Sequence, residues 1–312
     1  MGVETLMSEQ RTATESVLEL EGVTVRFGGV VAVRDVSLSI REGELFGLIG
    51  PNGAGKTTTI RLLLDFIRPT IGKASVLGLD SRRDSREIRK RVDYLPGDMA
   101  LYEKMTGSQL LRYLASLRGG VDWKFVDEVV QRLECDLSRP IKELSKGNKQ
   151  KVGLVQAFMQ RPELLLMDEP TSGLDPLIQQ EFYGMVDDLR ANGSTVFMSS
   201  HNIAEVERVC DRIGIIRRGT LVAVEAVQTL KERAVHQLEF HFSTAISETA
   251  FNGMPGIRDL KIFGNVLSCT MIGKPDVLLK RVAQFEVVKL VTHEPSLEDI
   301  FLSYYEEGDN AK

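Results

Sequence analysis

Three short stretches of the chain carry residue types whose spacing suits chemistry on a nucleoside triphosphate. The first, Gly50-Pro51-Asn52-Gly53-Ala54-Gly55-Lys56-Thr57, fits the pattern G-x-x-x-x-G-K-[ST] and is followed by Thr58. Glycines there let successive N–H groups face phosphate oxygens, and a helix start behind them adds positive potential. Lys56 can reach the β- and γ-phosphates, and the Thr57 hydroxyl can ligate Mg²⁺. The second stretch, Asp168-Glu169, ends the apolar run Leu164-Leu165-Leu166-Met167. Asp168 is placed to hold the Mg²⁺ shell through water, and Glu169 to take a proton from an attacking water. The third ends at His201, after Val196-Phe197-Met198-Ser199-Ser200; at a strand end an imidazole can touch a γ-phosphate. The plain reading of the first, a Gly-rich connection, weakens once a strand and a helix start flank it, and that of the second, a polar turn, once Lys56 is in view.

These groups can meet only if strands deliver them. Leu45, Phe46, Leu48 and Ile49 form a short apolar run fit for a buried parallel strand, and Ile60, Leu63, Leu64 and Ile67 return at helical spacing. Residues 17–27 and 36–40 alternate as half-buried antiparallel strands. Phe27, before Gly28-Gly29, reads either as a core aromatic beside a turn or as a ring able to stack on a flat base. From 85 to about 130 the pattern is helical, with Leu110, Leu111, Leu114 and Leu117 on one face and a loop or hinge at Tyr94-Leu95-Pro96-Gly97-Asp98. Ser145 is well placed to cap a helix running from about 149 to 160. Ser172-Gly173-Leu174-Asp175-Pro176 is a turn by composition.

With 312 residues there is chain enough for two domains, and 43% hydrophobic with 27% charged residues describes a globular protein with a sizeable core. A net charge of −5 offers no basic field for nucleic acid, and the arginines near 82–91 are interleaved with acids. Cys135, Cys210 and Cys269 lack metal-ligand spacing and suit reduced thiols. No apolar stretch reaches the ~18 residues of a membrane span. The leader, residues 1–16, is polar and reads as disordered rather than as a signal peptide, and Leu6 stands where myristoylation wants Ser or Thr. A helix at about 225–234 links to a tail, 235–312, whose strands and helices follow a β-α-β-β-α-β order; a helix near 247–252 and another near 297–305 belong to it. His236, His241 and His293 have no ligand spacing, and the tail reads as an accessory domain without a catalytic signature.

Taken together, these stretches resemble the nucleotide-binding subunit of an ATP-binding cassette (ABC) transporter, over about residues 17–224. Residues 50–57 match its Walker A, Leu164 to Glu169 its Walker B with the catalytic glutamate, Ser172 to Asp175 its D-loop, and His201 its switch histidine. Phe27 falls where that family stacks an aromatic on adenine. Leu144-Ser145-Lys146-Gly147-Asn148 falls where its LSGGQ signature belongs, with Lys146 and Asn148 as departures and Ser145 and Gly147 retained. Gly97 stands at the Q-loop position, where a side chain usually acts; Asp98 is its nearest polar neighbour.

The resemblance implies an α/β fold: a P-loop NTPase cassette with antiparallel β and helical subdomains (the latter about 84–160), plus a small α+β C-terminal domain. It implies ATP and Mg²⁺ as cofactors, and catalytic roles for Glu169, His201 and Lys56. ATP would lie between Gly50–Thr58 with Phe27 of one copy and Ser145, Gly147, Asn148 and Asp175 of a second copy, head to tail. It also implies a separate transmembrane permease, and a cytoplasmic place on the inner face of the membrane. The tail residues Glu294-Pro295-Ser296-Leu297-Glu298-Asp299-Ile300-Phe301 resemble the drug- and antibiotic-export branch. The alternatives are a non-transport ABC ATPase acting on ribosomes or DNA, and a nucleotide-dependent regulator. The first usually carries two cassettes or a long coiled coil, and Gly97 alone encourages the second.

Overall fold

The hairpin of β1 (Ser16–Phe27) and β2 (Val30–Arg41) opens the described part of a computed structural model, which comprises residues 16–233, 236–247, 250–251, 253–271 and 275–293. The chain divides into two compact units, Met1–Val224 and Glu225–Lys312. After the hairpin come β3 (Leu45–Ile49), α1 (Lys56–Leu63), β4 (Ile71–Val76), β5 (Leu79–Asp80), α2 (Ser85–Arg91) and β6 (Val92–Leu95). Next are α3 (Gly107–Leu117), α4 (Trp123–Arg132) and α5 (Lys146–Phe158), and then β7 (Leu164–Asp168) and α6 (Pro176–Ala191). The unit closes with β8 (Thr195–Ser200), α7 (Ile203–Val209), β9 (Arg212–Arg217) and β10 (Thr220–Ala226).

Two sheets share the first unit's core. One is four-stranded, in the order β2-β1-β4-β5; the other is six-stranded, in the order β10-β9-β3-β8-β7-β6. Every residue of β3, β7 and β8 is buried. This is why these stretches read as apolar runs rather than alternating ones: parallel strands are covered on both faces. Leu18, Val36 and Ile40 of the hairpin pack with Phe46, Leu164 and Phe197 of the large sheet, where the rings of Phe46 and Phe197 stack at 5.8 Å. Each such side chain contributes about 1.5–3 kcal/mol on burial. Toward the helices, Phe158 of α5 meets Phe182 of α6 edge to face at 6.2 Å. Thr106 and Gln109 form a capping box at the start of α3, and Asp122 caps α4.

The stretch that reads as helical from 85 onward contains a strand. β6 is only four residues, Val92-Asp93-Tyr94-Leu95, pairs in parallel with β7, and lies at the edge of the large sheet; so short a stretch, with Asp93 inside it, shows no apolar run or periodicity to betray it. β4, with its Gly and Lys, is likewise silent in the sequence. α5 begins at Lys146, three residues before the expected start, because Ser145 is its cap.

The second unit begins with α8 (Val227–Arg233), followed by β11 (His236–Phe242), β12 (Ile257–Phe263), β13 (Val266–Met271), α9 (Asp276–Val282) and β14 (Val287–His293). Its sheet runs β12-β13-β11-β14 with every pairing antiparallel. Phe240, Phe242 and Phe251 form its core with Leu267 and Leu278. Of the helix expected near 247–252, residues 248, 249 and 252 lie outside the described residues, and that near 297–305 lies outside them entirely. His241 pairs with Glu239 at 2.5 Å, and among the described residues no group of three or more His, Cys, Asp or Glu side chains is placed to hold a metal. All three cysteines are buried, and burial pushes the Cys135 thiol up to about 12 and Cys269 to about 11. No helix among the described residues is long and apolar enough to cross a membrane.

Candidate functional site

Strands β3, β8 and β7 are neighbours and run parallel, with Ile49 opposite Ser200 and Asp168 opposite Ser199. Their carboxyl ends therefore lie side by side, at the edge where open α/β sheets bind ligands. Lys56, Asp168, Glu169 and His201, far apart in sequence, arrive there together.

The turn after β3 is fixed by its surroundings. Gly55 has φ +111°, and a Cβ on it would stand 2.7 Å from the Ala32 carbonyl oxygen, so only glycine lets the turn lie against β2. The Gly219 amide donates to the Ala54 carbonyl at 2.9 Å, and the Arg34 amide to the Gly219 carbonyl at 2.7 Å. Lys56 is 5% exposed and donates to the Gly50 carbonyl at 2.6 Å and the Pro51 carbonyl at 3.3 Å. The result is a cleft of about 180 Å³ lined by Ala32, Pro51, Asn52, Gly53, Ala54, Gly55, Lys56, Thr57, Thr58 and Glu169. Gly50 lies outside this lining and acts through its carbonyl.

Two carboxylates close the far side. The Thr57 hydroxyl donates to Asp168 Oδ2 at 2.6 Å, and the Ser199 hydroxyl to Asp168 Oδ1 at 2.5 Å. The Glu169 amide donates to the Ser199 carbonyl and hydroxyl, both at 3.2 Å, and its residue sits at φ +52°. A left-handed glutamate costs of order 1–3 kcal/mol and persists only where neighbours hold it. That turn brings Oε1 to 3.2 Å from Lys56 Nζ and Oε2 to 2.5 Å from His201 Nδ1. Glu169 thus joins the first and third chemical stretches directly. The Thr57 hydroxyl and the Asp168 carboxylate are hard oxygen donors gathered at one point, a set that fits Mg²⁺.

Other expected residues lie elsewhere. Phe27 stands at the tip of the β1–β2 hairpin, 51% exposed, and does not line the cleft, although Ala32 of that hairpin does. Ser145, Gly147 and Asn148 sit at the start of α5, where the Ser145 hydroxyl accepts the Asn148 amide at 3.3 Å. Asp175 caps α6, accepting the Leu177 and Ile178 amides at 3.1 Å. None of these four lines the cleft of its own chain. Gly97 passes directly over the carboxylate: a Cβ there would stand 3.3 Å from both the carbonyl oxygen and Oδ2 of Asp168. Asp98, beside it, is exposed.

Three polar residues that the sequence did not single out complete the frame. Ser199 holds both carboxylate-bearing residues. Glu205 of α7, buried, accepts from the Ser200 hydroxyl at 2.5 Å, and burial pushes its pKa up. Gln150 of α5 donates to the Pro170 carbonyl at 2.7 Å. Ser199-Ser200 at the end of an apolar strand was the available signal; Gln150 and Glu205 look like ordinary helix-surface residues until the elements are assembled. A larger cavity of about 400 Å³, between α4, α5 and α6, contains none of the chemical residues.

Fold and site together define a P-loop nucleotide-binding cassette. Residues 33–172 match the ABC transporter family model. The chain is 30% identical over 299 residues to the bacitracin transport ATP-binding protein BcrA of Bacillus licheniformis, covering 92% of this chain and 96% of that one. It is 35% identical over 236 residues to the probable multidrug ABC transporter ATP-binding protein YbhF of Escherichia coli, covering 74% of this chain but only 41% of that relative's length. A solved ATP-binding subunit of an ABC transporter superposes with a TM-score of 0.64 at 31% identity, over 69% of this chain and 92% of that one. The chain belongs to the ABC transporter ATP-binding family.

Proposed function

We propose that the chain binds and hydrolyses ATP to power a membrane exporter whose membrane-spanning part is a separate permease. The observation that carries the hydrolytic reading is Glu169 held between Lys56 and His201 at 3.2 and 2.5 Å. In this reading the amides of 53–58 and the Lys56 ammonium bind the phosphates, and the contacts of Lys56 with Gly50, Pro51 and Glu169 give way to phosphate oxygens. Thr57 and Asp168 hold Mg²⁺, which supplies charge neutralisation on the phosphates. Glu169, with its carboxylate oriented by His201, accepts the proton of the attacking water. Gly97 leaves the carboxylate of Asp168 uncovered by any side chain at its position, so the loop acts by backbone approach.

Ser145, Gly147, Asn148 and Asp175 lie outside the cleft of their own chain, which supports their use on nucleotide bound by a second copy, head to tail. The export role draws on the printed functions of the relatives, bacitracin transport for BcrA and probable multidrug transport for YbhF. By this reading the chain works at the cytoplasmic face of the membrane. Glu169→Gln tests the chemistry: hydrolysis should fall by ~10²–10⁴-fold while ATP binding persists, since an amide cannot take the proton. Full turnover by that variant would remove Glu169 from the mechanism.

A further inference from the structure

Gln150 joins two parts of the site that the sequence keeps apart. It lies within the first turns of α5 and is 2% exposed. Its Nε2 donates at 2.7 Å to the carbonyl of Pro170, the residue directly after Glu169. About one turn nearer the helix start, Gly147 lies flat against the next turn of chain: a Cβ on it would meet the Gly173 carbonyl oxygen at 2.5 Å. The helix start that carries Ser145 is thus fastened at two points to the segment that leads out of Glu169. Proline fixes its own φ, so the ψ of Pro170 is the one soft torsion between that carbonyl and the 169–170 peptide. A buried carbonyl that loses its donor is costly, so separating the two segments at this point carries a penalty.

We propose that Gln150 is a positioning residue for Glu169 of its own copy, linking it to the α5 start that faces the other copy's nucleotide. The inference rests on the two-copy reading above. When Ser145 and Gly147 of one chain close on ATP held by the other, Gln150 carries that closure to Pro170 and orients Glu169 toward the nucleotide of its own chain. Each site is thereby readied by its chain's grip on the opposite one.

Mixed dimers of full-length chains with two affinity tags provide the test. In the first arrangement Gln150→Met sits on the chain with a working Glu169, and the partner carries Glu169→Gln. In the second, Gln150→Met and Glu169→Gln share one chain and the partner is unmodified. Methionine keeps the volume and removes the donor. The first arrangement should show about tenfold lower kcat than the second, the size expected for one buried hydrogen bond. KM for ATP and ATP-driven dimerisation should match between the two. A role in folding alone would lower both arrangements alike, so equal kcat overturns the proposal, as does loss of dimerisation in either. An unmodified chain that stays monomeric with Mg·ATP overturns the two-copy reading itself, and that result is visible before any Gln150 variant is made.

Discussion

The six-stranded sheet of the first unit and the four-stranded sheet of the second draw on similar apolar residues but dispose of their strand ends differently. In the first, β3, β8 and β7 run parallel, so three carboxyl ends share one edge and set Lys56, Asp168, Glu169 and His201 within reach of one another. In the second, each paired strand reverses direction, and like ends alternate between the two edges. Its polar residues are spread across a face instead: Glu239, His241, Ser268 and Lys289 share the side opposite Phe240 and Phe242, by register. Parallel order gathers chemistry from distant sequence, whereas antiparallel order makes a platform. Damage to each sheet should therefore be felt in a different measurement.

The largest effect should come from the platform's core. Phe242 is 1% exposed, and its ring lies 5.7 Å from that of Phe285 and 6.2 Å from that of Phe251. Truncation to alanine leaves a cavity among these rings and should destabilise the second unit by about 3–5 kcal/mol. Because the nucleotide cleft is lined by residues of the first unit alone, ATP affinity should stay within about twofold, a change under ~0.5 kcal/mol. Calorimetric melting beside an ATP titration reads both quantities. Loss of ATP binding in Phe242→Ala would show that the second sheet supports the chemistry after all.

A smaller and opposite effect is expected from Lys56→Ala. The ammonium is the cation of the cleft, and hydrogen bonds to charged partners contribute about 1.5–3 kcal/mol. ATP affinity should fall roughly ten- to a hundredfold, with melting of the second unit unchanged. Unchanged affinity would mean that the backbone amides alone hold the phosphates.

The same contrast explains what could be read from the sequence. Residues 50–57 and Asp168-Glu169 are legible because each is a contiguous strand-and-turn whose residue types name the chemistry. β6 is not, since four residues in a parallel pair show no period. Ser199 and Gln150 are not either, since each acts on a partner 20 or more positions away; Glu205 meets Ser200 only once α7 packs beside β8. β11 is legible by alternation, which one covered face imposes: Leu238, Phe240 and Phe242 are buried. Ser145 gave both of its readings, a helix cap and a signature hydroxyl, and the structure displays the first.

Asp93 gives the last test, because a polar residue inside a parallel strand has a cost that the antiparallel platform avoids. It sits on β6 opposite Leu165 of β7. Burial pushes its pKa up to about 6, only partly offset by Arg118, whose guanidinium lies 2.7 Å away. Its second carboxylate oxygen, Oδ2, is buried without a partner among the described residues. Folded Asp93 therefore keeps its proton to about pH 6, whereas the unfolded chain releases it near 3.9. Between those values the folded state binds more protons, so this group's contribution to stability is full at low pH and is lost as pH rises through 6. Asparagine at position 93 cannot titrate. The stability of the unmodified chain relative to Asp93→Asn should consequently be about 1 kcal/mol greater near pH 5 than near pH 7.5. Denaturant unfolding of both chains at the two pH values measures the difference. A gap that stays constant, or that widens toward pH 7.5, would mean that the ion pair with Arg118 outweighs burial and that the parallel edge tolerates a charged carboxylate without cost.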